Sequence, residues 1–305
     1  MDIKQLKNIA AERVATARFD AKKLALIFTG ATVLLSFVIS LVSFLLSRQM
    51  ESAMGLGGLG TRTILSAAQI LIMLAGAVAS PFWNLGYTRA ALDTARDGSA
   101  EPKTLLAGFS RFFPAVRLLL LRGLLMIAAA LGSVQVGTIL YMLTPVSMVA
   151  MDRIETLLAG GEAALADPAA IEQLADVFWP MYLLIGIVLL VVLIPMLYRL
   201  RLVEFSLMDG REKALKNMLE SNFLMRGKCL WMFKLDLSFW WYFLLQALAA
   251  AVSYGDLLFN GSDAAYWIFY IFSAGAQLAL GWQFLPRVQT AYALAYDEIT
   301  KTGQA

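Results

Sequence analysis

The sequence contains no histidine and a single cysteine, Cys229. Histidine is the commonest general base and the commonest metal ligand in proteins, so its absence excludes most hydrolase and metalloenzyme sites. One cysteine cannot form a disulfide within the chain. The two absences argue against a histidine-dependent enzyme and against a disulfide-stabilised domain.

Charged residues are also scarce. They make up 15% of the 305 residues, against about 25% in a soluble domain, while apolar residues make up 60%. The mean hydropathy is +0.69. A chain with so little polar surface cannot cover itself in water, so lipid is its expected solvent.

Long runs without charge set the predicted organisation. A lipid core about 30 Å thick requires roughly 20 helical residues, and only helices satisfy their own backbone over such lengths. The sequence therefore predicts an all-α, polytopic transmembrane helical bundle that forms a single integral membrane domain over residues 1–305. Its six predicted spans are 24–47, 63–88, 123–148, 178–198, 237–255 and 264–286.

The distribution of Lys and Arg predicts the orientation of these spans. All 25 basic residues except Arg48, Arg62 and Arg153 lie before span 1, between spans 2 and 3, between spans 4 and 5, or after span 6. Basic residues favour the cytoplasmic side, so both termini are expected there, in a bacterial inner membrane. The acidic loop 149–177, which reads as two short amphipathic helices, is then expected outside.

Each pair of spans follows a basic amphipathic arm, at residues 3–22, 102–117 and 211–233. Such arms are expected to meet the anionic inner leaflet. In the third arm, an apolar face is predicted from residues that recur near a helical period: Leu215, Met218, Leu219, Leu224 and Met225.

Two segments that follow spans 2 and 4 are similar to each other. "RAALDTARDG" carries Arg89 and Asp97, and "RLVEFSLMDG" carries Arg201 and Asp209 at matching positions. Together with the arms, they suggest three parallel hairpin repeats of about 100 residues. Similar arms and hairpins also arise without duplication, so both origins stay open.

Two charges, Lys234 and Asp236, interrupt an apolar stretch just before span 5. A buried charge is costly, so both are expected at the membrane boundary, where Lys234 can extend toward water. They lie about 200° apart on a helix and cannot pair side by side. Asp236 is expected either to pair with an arginine of another hairpin, with Arg122 or Arg201 favoured, or to cap the span and meet water.

The stretch "ALKNMLESNFLMRGKCLWMFKLDLSFWW", residues 214–241, resembles the signature of a bacterial six-span membrane protein family catalogued as domain of unknown function 975. The matching positions are Ser221, Met225, Gly227, Lys228, Phe233, Leu235, Ser238, Phe239 and Trp241, with Pro286 and Tyr296 at the exit of the last span. Arg287 and Ala295 stand where the family has aromatic residues. The resemblance implies a six-span architecture and assigns no activity.

These patterns predict that the protein is a non-enzymatic scaffold or interaction protein that works at the cytoplasmic leaflet. Its expected partners are anionic lipid headgroups, other membrane proteins or a second copy of the chain. No cofactor and no nucleic acid are expected. The alternative is a transporter or channel for a small or lipid-like solute, although no predicted span carries an acid or base near its middle, as ion-coupled transporters usually do.

Overall fold

The computed structural model describes residues 2–52, 59–98, 100–160, 168–210, 214–255 and 262–303. Nearly all of these residues are helical, and no strand occurs among them. The α-helices are α1 Ile3–Thr16, α2 Ala21–Ser52, α3 Leu59–Arg96, α4 Ala107–Ser110, α5 Phe112–Met142, α6 Pro145–Ala159, α7 Pro168–Arg199, α8 Val203–Met208, α9 Ala214–Leu224, α10 Cys229–Ser238, α11 Trp240–Val252, α12 Asp263–Gln283 and α13 Leu285–Gly303. A short 3₁₀ helix spans Pro102–Leu106. The all-α prediction is confirmed.

Five helices, α2, α3, α5, α7 and α12, contain segments that are long and apolar enough to cross a membrane. They correspond to predicted spans 1, 2, 3, 4 and 6. Span 5 was predicted as one helix over 237–255, but α10 and α11 meet at Phe239 with a bend of 69°. The 13 residues of α11 cover only about 20 Å, less than a lipid core of about 30 Å. The described residues therefore contain five candidate spans, or up to six if the bent pair is counted as one span.

The boundaries around the predicted acidic loop 149–177 also differ. Helix α5 ends at Met142 rather than at residue 148, and Pro145 starts α6. Proline fits the first turn of a helix, where its missing N–H is not needed. On the far side, α7 begins at Pro168 and continues into span 4, so the second short helix of the loop is the start of a long one. Residues 161–167 lie outside the described part of the chain.

The chain divides into two compact units, residues 1–117 with 202–305, and residues 118–201. In the first unit, α1 packs on α13 and buries Leu6, Ala10 and Val14, which recur every fourth residue. The first arm thus turns its apolar side toward protein. In the second unit, α6 packs on α7, and the Tyr141 hydroxyl donates a hydrogen bond to the Val177 carbonyl over 3.0 Å.

The core of the first unit lies toward the basic ends of its spans. Its largest fully buried side chains are Tyr296, Phe82, Leu6, Leu92, Leu105, Leu202, Leu207, Met208, Met225, Met232, Leu235 and Val288. By contrast, only 6% to 11% of the most apolar window of each span is buried. The apolar middles of the spans are thus left to contact lipid or other proteins.

Candidate functional site

Arg96, the last residue of α3, connects three helices of the first unit. Its Nε and Nη2 atoms donate hydrogen bonds to the Asp297 carboxylate on α13 over 2.6–3.2 Å. Its Nη1 atom donates to Asp209 Oδ1, just past α8, over 2.5 Å. The three side chains are 34%, 19% and 25% exposed, respectively. This geometry is a two-sided ion pair that fastens α3 to the end of α8 and to α13.

Two further arginines hold the C-terminal end of α8. Arg89 Nη1 donates to the Met208 carbonyl over 2.9 Å, and Arg111 Nη1 donates to the Leu207 carbonyl over 3.0 Å. Arg89 also pairs with Asp93, one turn further along α3, over 3.1 Å. The last carbonyls of a helix have no partner within the helix and carry partial negative charge, so arginine is a suitable cap.

Two tyrosines of α13, one turn apart, each hold an aspartate of another segment. The Tyr292 hydroxyl donates a hydrogen bond to Asp236 Oδ1 on α10 over 2.5 Å. The Tyr296 hydroxyl donates to Asp209 Oδ2 over 3.2 Å. Both tyrosine side chains are buried. Helix α13 is thereby tied to α10 and to the end of α8.

We refer to Arg89, Arg96, Arg111, Asp93, Asp209, Asp297 and Tyr296 as the ion network. It contains three arginines and three aspartates, so its formal charges balance. Its contacts are ion pairs, helix caps and a tyrosine hydrogen bond, which are suited to holding helices together. No group of three or more Asp, Glu or Cys side chains in the described part of the chain is arranged to hold a metal ion.

The structure brings together some of the predicted site residues. Arg89 and Asp209 belong to the ion network. Asp97 is exposed just past α3. Arg122 and Arg201 belong to the second unit, so their proposed pairing with Asp236 stays a prediction. The sequence did not predict a role for Arg96, because its partner Asp297 is 201 positions away and no local pattern indicates such a distant pair.

The two similar segments that follow predicted spans 2 and 4 share a local geometry. Each has an Asp-Gly pair immediately after a helix, and the glycines, Gly98 and Gly210, have φ angles of +65° and +106°. Residues with side chains rarely adopt such angles, so glycine ends both helices. The repeat itself stays a prediction.

We refer to residues 214–241, which carry the family resemblance, as the family-like stretch. Several of its residues connect α9, α10 and α13. Ser221, Met225 and Leu235 are buried. Gly227 forms the turn between α9 and α10 with a φ of +73°. Lys228 Nζ then donates to the Thr302 hydroxyl over 2.6 Å and lies 3.4 Å from the Ile299 carbonyl, near the end of α13.

The bend in predicted span 5 is contacted by the first arm. Lys7 Nζ donates to the Ser238 carbonyl over 2.8 Å and lies 4.5 Å from the centre of the Phe239 ring. A lysine therefore caps the end of α10 and makes a cation–π contact at the break. The remaining family-like residues are Phe233 and Trp241, which are exposed, and Pro286, which lies in the first turn of α13.

The apolar face predicted for the third arm is divided between the outside and the core. Leu224 and Met225 are buried, whereas Leu215 and Leu219 are 60% and 62% exposed. The side of α9 that packs on protein instead carries small and polar residues, including Asn217. Tertiary packing therefore buries the side of this helix that carries Asn217 and Ser221, and it leaves Leu215 and Leu219 facing outward.

We call the outward residues of α9, α10, the turn between these two helices and the first turn of α11 the interfacial surface. Its exposed apolar members are Leu215, Leu219, Phe223, Leu230, Phe233, Leu237, Trp240 and Trp241. Its exposed basic members are Lys216, Arg226 and Lys234. The Arg226 guanidinium lies 5.9 Å from the centre of the Phe223 ring, so charge and apolar surface are in direct contact.

Comparison of the chain with protein-family models, with curated proteins and with solved structures gives no match. The resemblance carried by residues 214–241 therefore stays a prediction. The chemistry of the described residues is the basis for a functional proposal.

Proposed function

We propose that the protein is a multi-pass, non-enzymatic scaffold of a bacterial inner membrane, and that its interfacial surface binds anionic lipid headgroups at the cytoplasmic leaflet. The observation that carries this proposal is the mixed character of that surface. Large apolar side chains are exposed beside basic ones, as in helices that lie in the plane of a membrane interface.

The basic residues supply the preference for anionic lipid. Each Lys or Arg near an anionic surface contributes about 1 kcal/mol of binding free energy, so Lys216, Arg226 and Lys234 together favour acidic headgroups by about 3 kcal/mol. Trp240 and Trp241, stacked with their rings 4.0 Å apart, add residues that prefer the headgroup region.

The ion network supports a scaffold role. Its arginines and aspartates engage one another and the end of α8, which makes the basic end of the first unit a rigid platform. The apolar middles of the spans are mostly exposed and offer surface to lipid, to partner membrane proteins or to a second copy. Residues 214–241, the family-like stretch, supply the interfacial surface.

The lipid contact can be tested on the full chain reconstituted in nanodiscs. Leu219→Cys, in a Cys229→Ser background, is labelled with a small fluorophore and exposed to brominated lipids or to aqueous iodide. We expect strong quenching by brominated lipid. Glu12→Cys, on the exposed side of α1, is the matched control and should be quenched by iodide instead. Quenching of position 219 by iodide but not by brominated lipid contradicts the proposal.

The preference for charge requires a separate measurement. Phosphatidylglycerol at about a third of the lipid should raise the unfolding temperature of the wild type above its value in pure phosphatidylcholine. The variant Lys216→Gln, Arg226→Gln, Lys234→Gln should lose most of that increase, since it removes about 3 kcal/mol of attraction.

The charge-matched control is a variant that neutralises three exposed basic residues near the N-terminus, namely Lys4 and Arg18 of the first arm and Lys23 just after it. It should keep the increase in unfolding temperature. If the two triple variants respond equally to phosphatidylglycerol, the interfacial surface is not the lipid site.

The bend at Phe239 favours the transporter or channel as a second candidate. Transporters often build their substrate sites at discontinuous helices, and α10 and α11 form such a break. Proteoliposomes that contain the protein would then move a fluorescent lipid analogue between leaflets faster than empty vesicles do. No acceleration favours the scaffold.

A further inference from the structure

The second unit contains a cavity of about 690 Å³. It lies between the C-terminal end of α5, most of α6 and the N-terminal part of α7. Ligand pockets in proteins typically have volumes of about 300–1,000 Å³, so a drug-sized molecule would fit. All of its lining residues belong to this one unit. None of them belongs to the ion network or to the interfacial surface.

Most of the lining is apolar and adaptable. Four methionines contribute to it, namely Met142, Met148, Met151 and Met181, together with the rings of Tyr141 and Phe178. Methionine side chains are flexible and polarizable, and they suit sites that accept ligands of varied shape. The Tyr141 hydroxyl already donates to the Val177 carbonyl. The lining therefore suits an apolar ligand body.

Two carboxylates make one edge of the cavity negatively charged. Asp152 and Glu155 lie three residues apart on α6, on the side that carries Met148 and Met151, and both line the cavity. No basic residue lines it, and no described residue forms an ion pair with either carboxylate. A negative edge beside an apolar, aromatic interior complements a molecule with a positive group on an apolar body.

We propose that this cavity binds an amphiphilic cation. The apolar body lies among the methionines and aromatic rings, and the positive group faces Asp152 and Glu155. This site goes beyond the scaffold function and does not depend on it, because no residue of the cavity belongs to the interfacial surface.

The probe for this site is tetraphenylphosphonium, a monovalent lipophilic cation. The full chain is reconstituted in phosphatidylcholine nanodiscs, and saturable binding of the radiolabelled cation is measured against empty nanodiscs. We expect Asp152→Asn with Glu155→Gln to weaken binding about tenfold, as for two nearby charges acting through a mostly aqueous dielectric. Asp176→Asn, an exposed carboxylate of α7 outside the lining, is the matched control and should change the affinity less than about twofold.

Two further measurements separate charge from shape. Tetraphenylborate has nearly the same size and the opposite charge, and it should show no saturable binding to the wild type. Met148→Trp adds a larger ring to the lining and should weaken saturable binding of the cation while helicity by circular dichroism is kept. Saturable borate binding, or unchanged cation affinity in either the charge variant or Met148→Trp, overturns the proposal. The borate comparison uses the wild type, so it stands even where a variant fails to fold.

Discussion

Replacing Arg96 by methionine should destabilise the first unit more than any change at an exposed arginine. Methionine keeps the length and apolar stem of the side chain but removes the hydrogen bonds to Asp209 and Asp297. Both carboxylates are less than a third exposed, so each would stay largely buried without its guanidinium partner.

The magnitude follows from that geometry. Removing one partner of a fully buried ion pair costs about 3–5 kcal/mol. Here water reaches about a third of Arg96 and a fifth to a quarter of the two aspartates, and this screening lowers the cost. We therefore expect Arg96→Met to lower the free energy of unfolding by about 2–3 kcal/mol.

The assay is unfolding of the full chain from mixed micelles by increasing sodium dodecyl sulfate, followed by circular dichroism. Arg18→Met, at an exposed arginine of the first arm, is the matched control and should change stability by less than about 0.5 kcal/mol. Adding Asp209→Asn and Asp297→Asn to Arg96→Met should recover part of the loss, because the buried negative charges are then gone. The electrostatic reasoning would be refuted if Arg96→Met is as stable as Arg18→Met. It would also be refuted if the triple variant is no more stable than Arg96→Met alone.

Two other outcomes are expected. Tyr292→Phe removes the hydrogen bond to Asp236 and should lower the free energy of unfolding by about 1–2 kcal/mol in the same assay. Tyr182→Phe, at an exposed tyrosine, is the control and should leave stability unchanged. Equal effects of the two changes would contradict a role for this bond. With the single native cysteine replaced by serine, Glu155→Cys should react with an impermeant thiol reagent on intact cells, and Glu101→Cys should react only after lysis, because the distribution of basic residues predicts that position 101 is cytoplasmic. The reverse pattern would overturn the predicted orientation.

Local patterns predicted the helices and their apolar segments. Runs such as Leu24–Ser47 and Ala264–Gln283 lack charge over the length of a span. A backbone in lipid must satisfy its own hydrogen bonds, so such runs form helices whatever their tertiary contacts are. Helices α2 and α12 accordingly contain those runs. The bend at Phe239 was not predicted, because no proline or glycine marks it, and the Lys7 contacts that accompany it come from more than 230 positions away.

The face of a short amphipathic helix proved harder to predict than its existence. In α9, leucines and polar residues alternate closely enough that either side could pack on protein. Sequence periodicity predicted one apolar face for contact with the membrane, yet Leu224 of that face is buried with Asn217 and Ser221, and only Leu215 and Leu219 are exposed. In a membrane protein both environments of such a helix can be apolar, so hydrophobicity alone does not decide which side faces the protein.

The same physics accounts for where the first unit is tightly packed. Within lipid, apolar side chains gain little by leaving lipid for another helix, so hydrophobic burial gives little drive for packing at mid-span. Near the basic ends of the spans, water is close, and both apolar burial and charge pairing become effective. Leu92, Leu207 and Val288 are fully buried there, while Val78 at the middle of α3 is 46% exposed. Because the specific contacts of the first unit concentrate at that end, the surface that we propose to bind lipid is held in a fixed geometry, while the spans keep their outer faces free for lipid or partners.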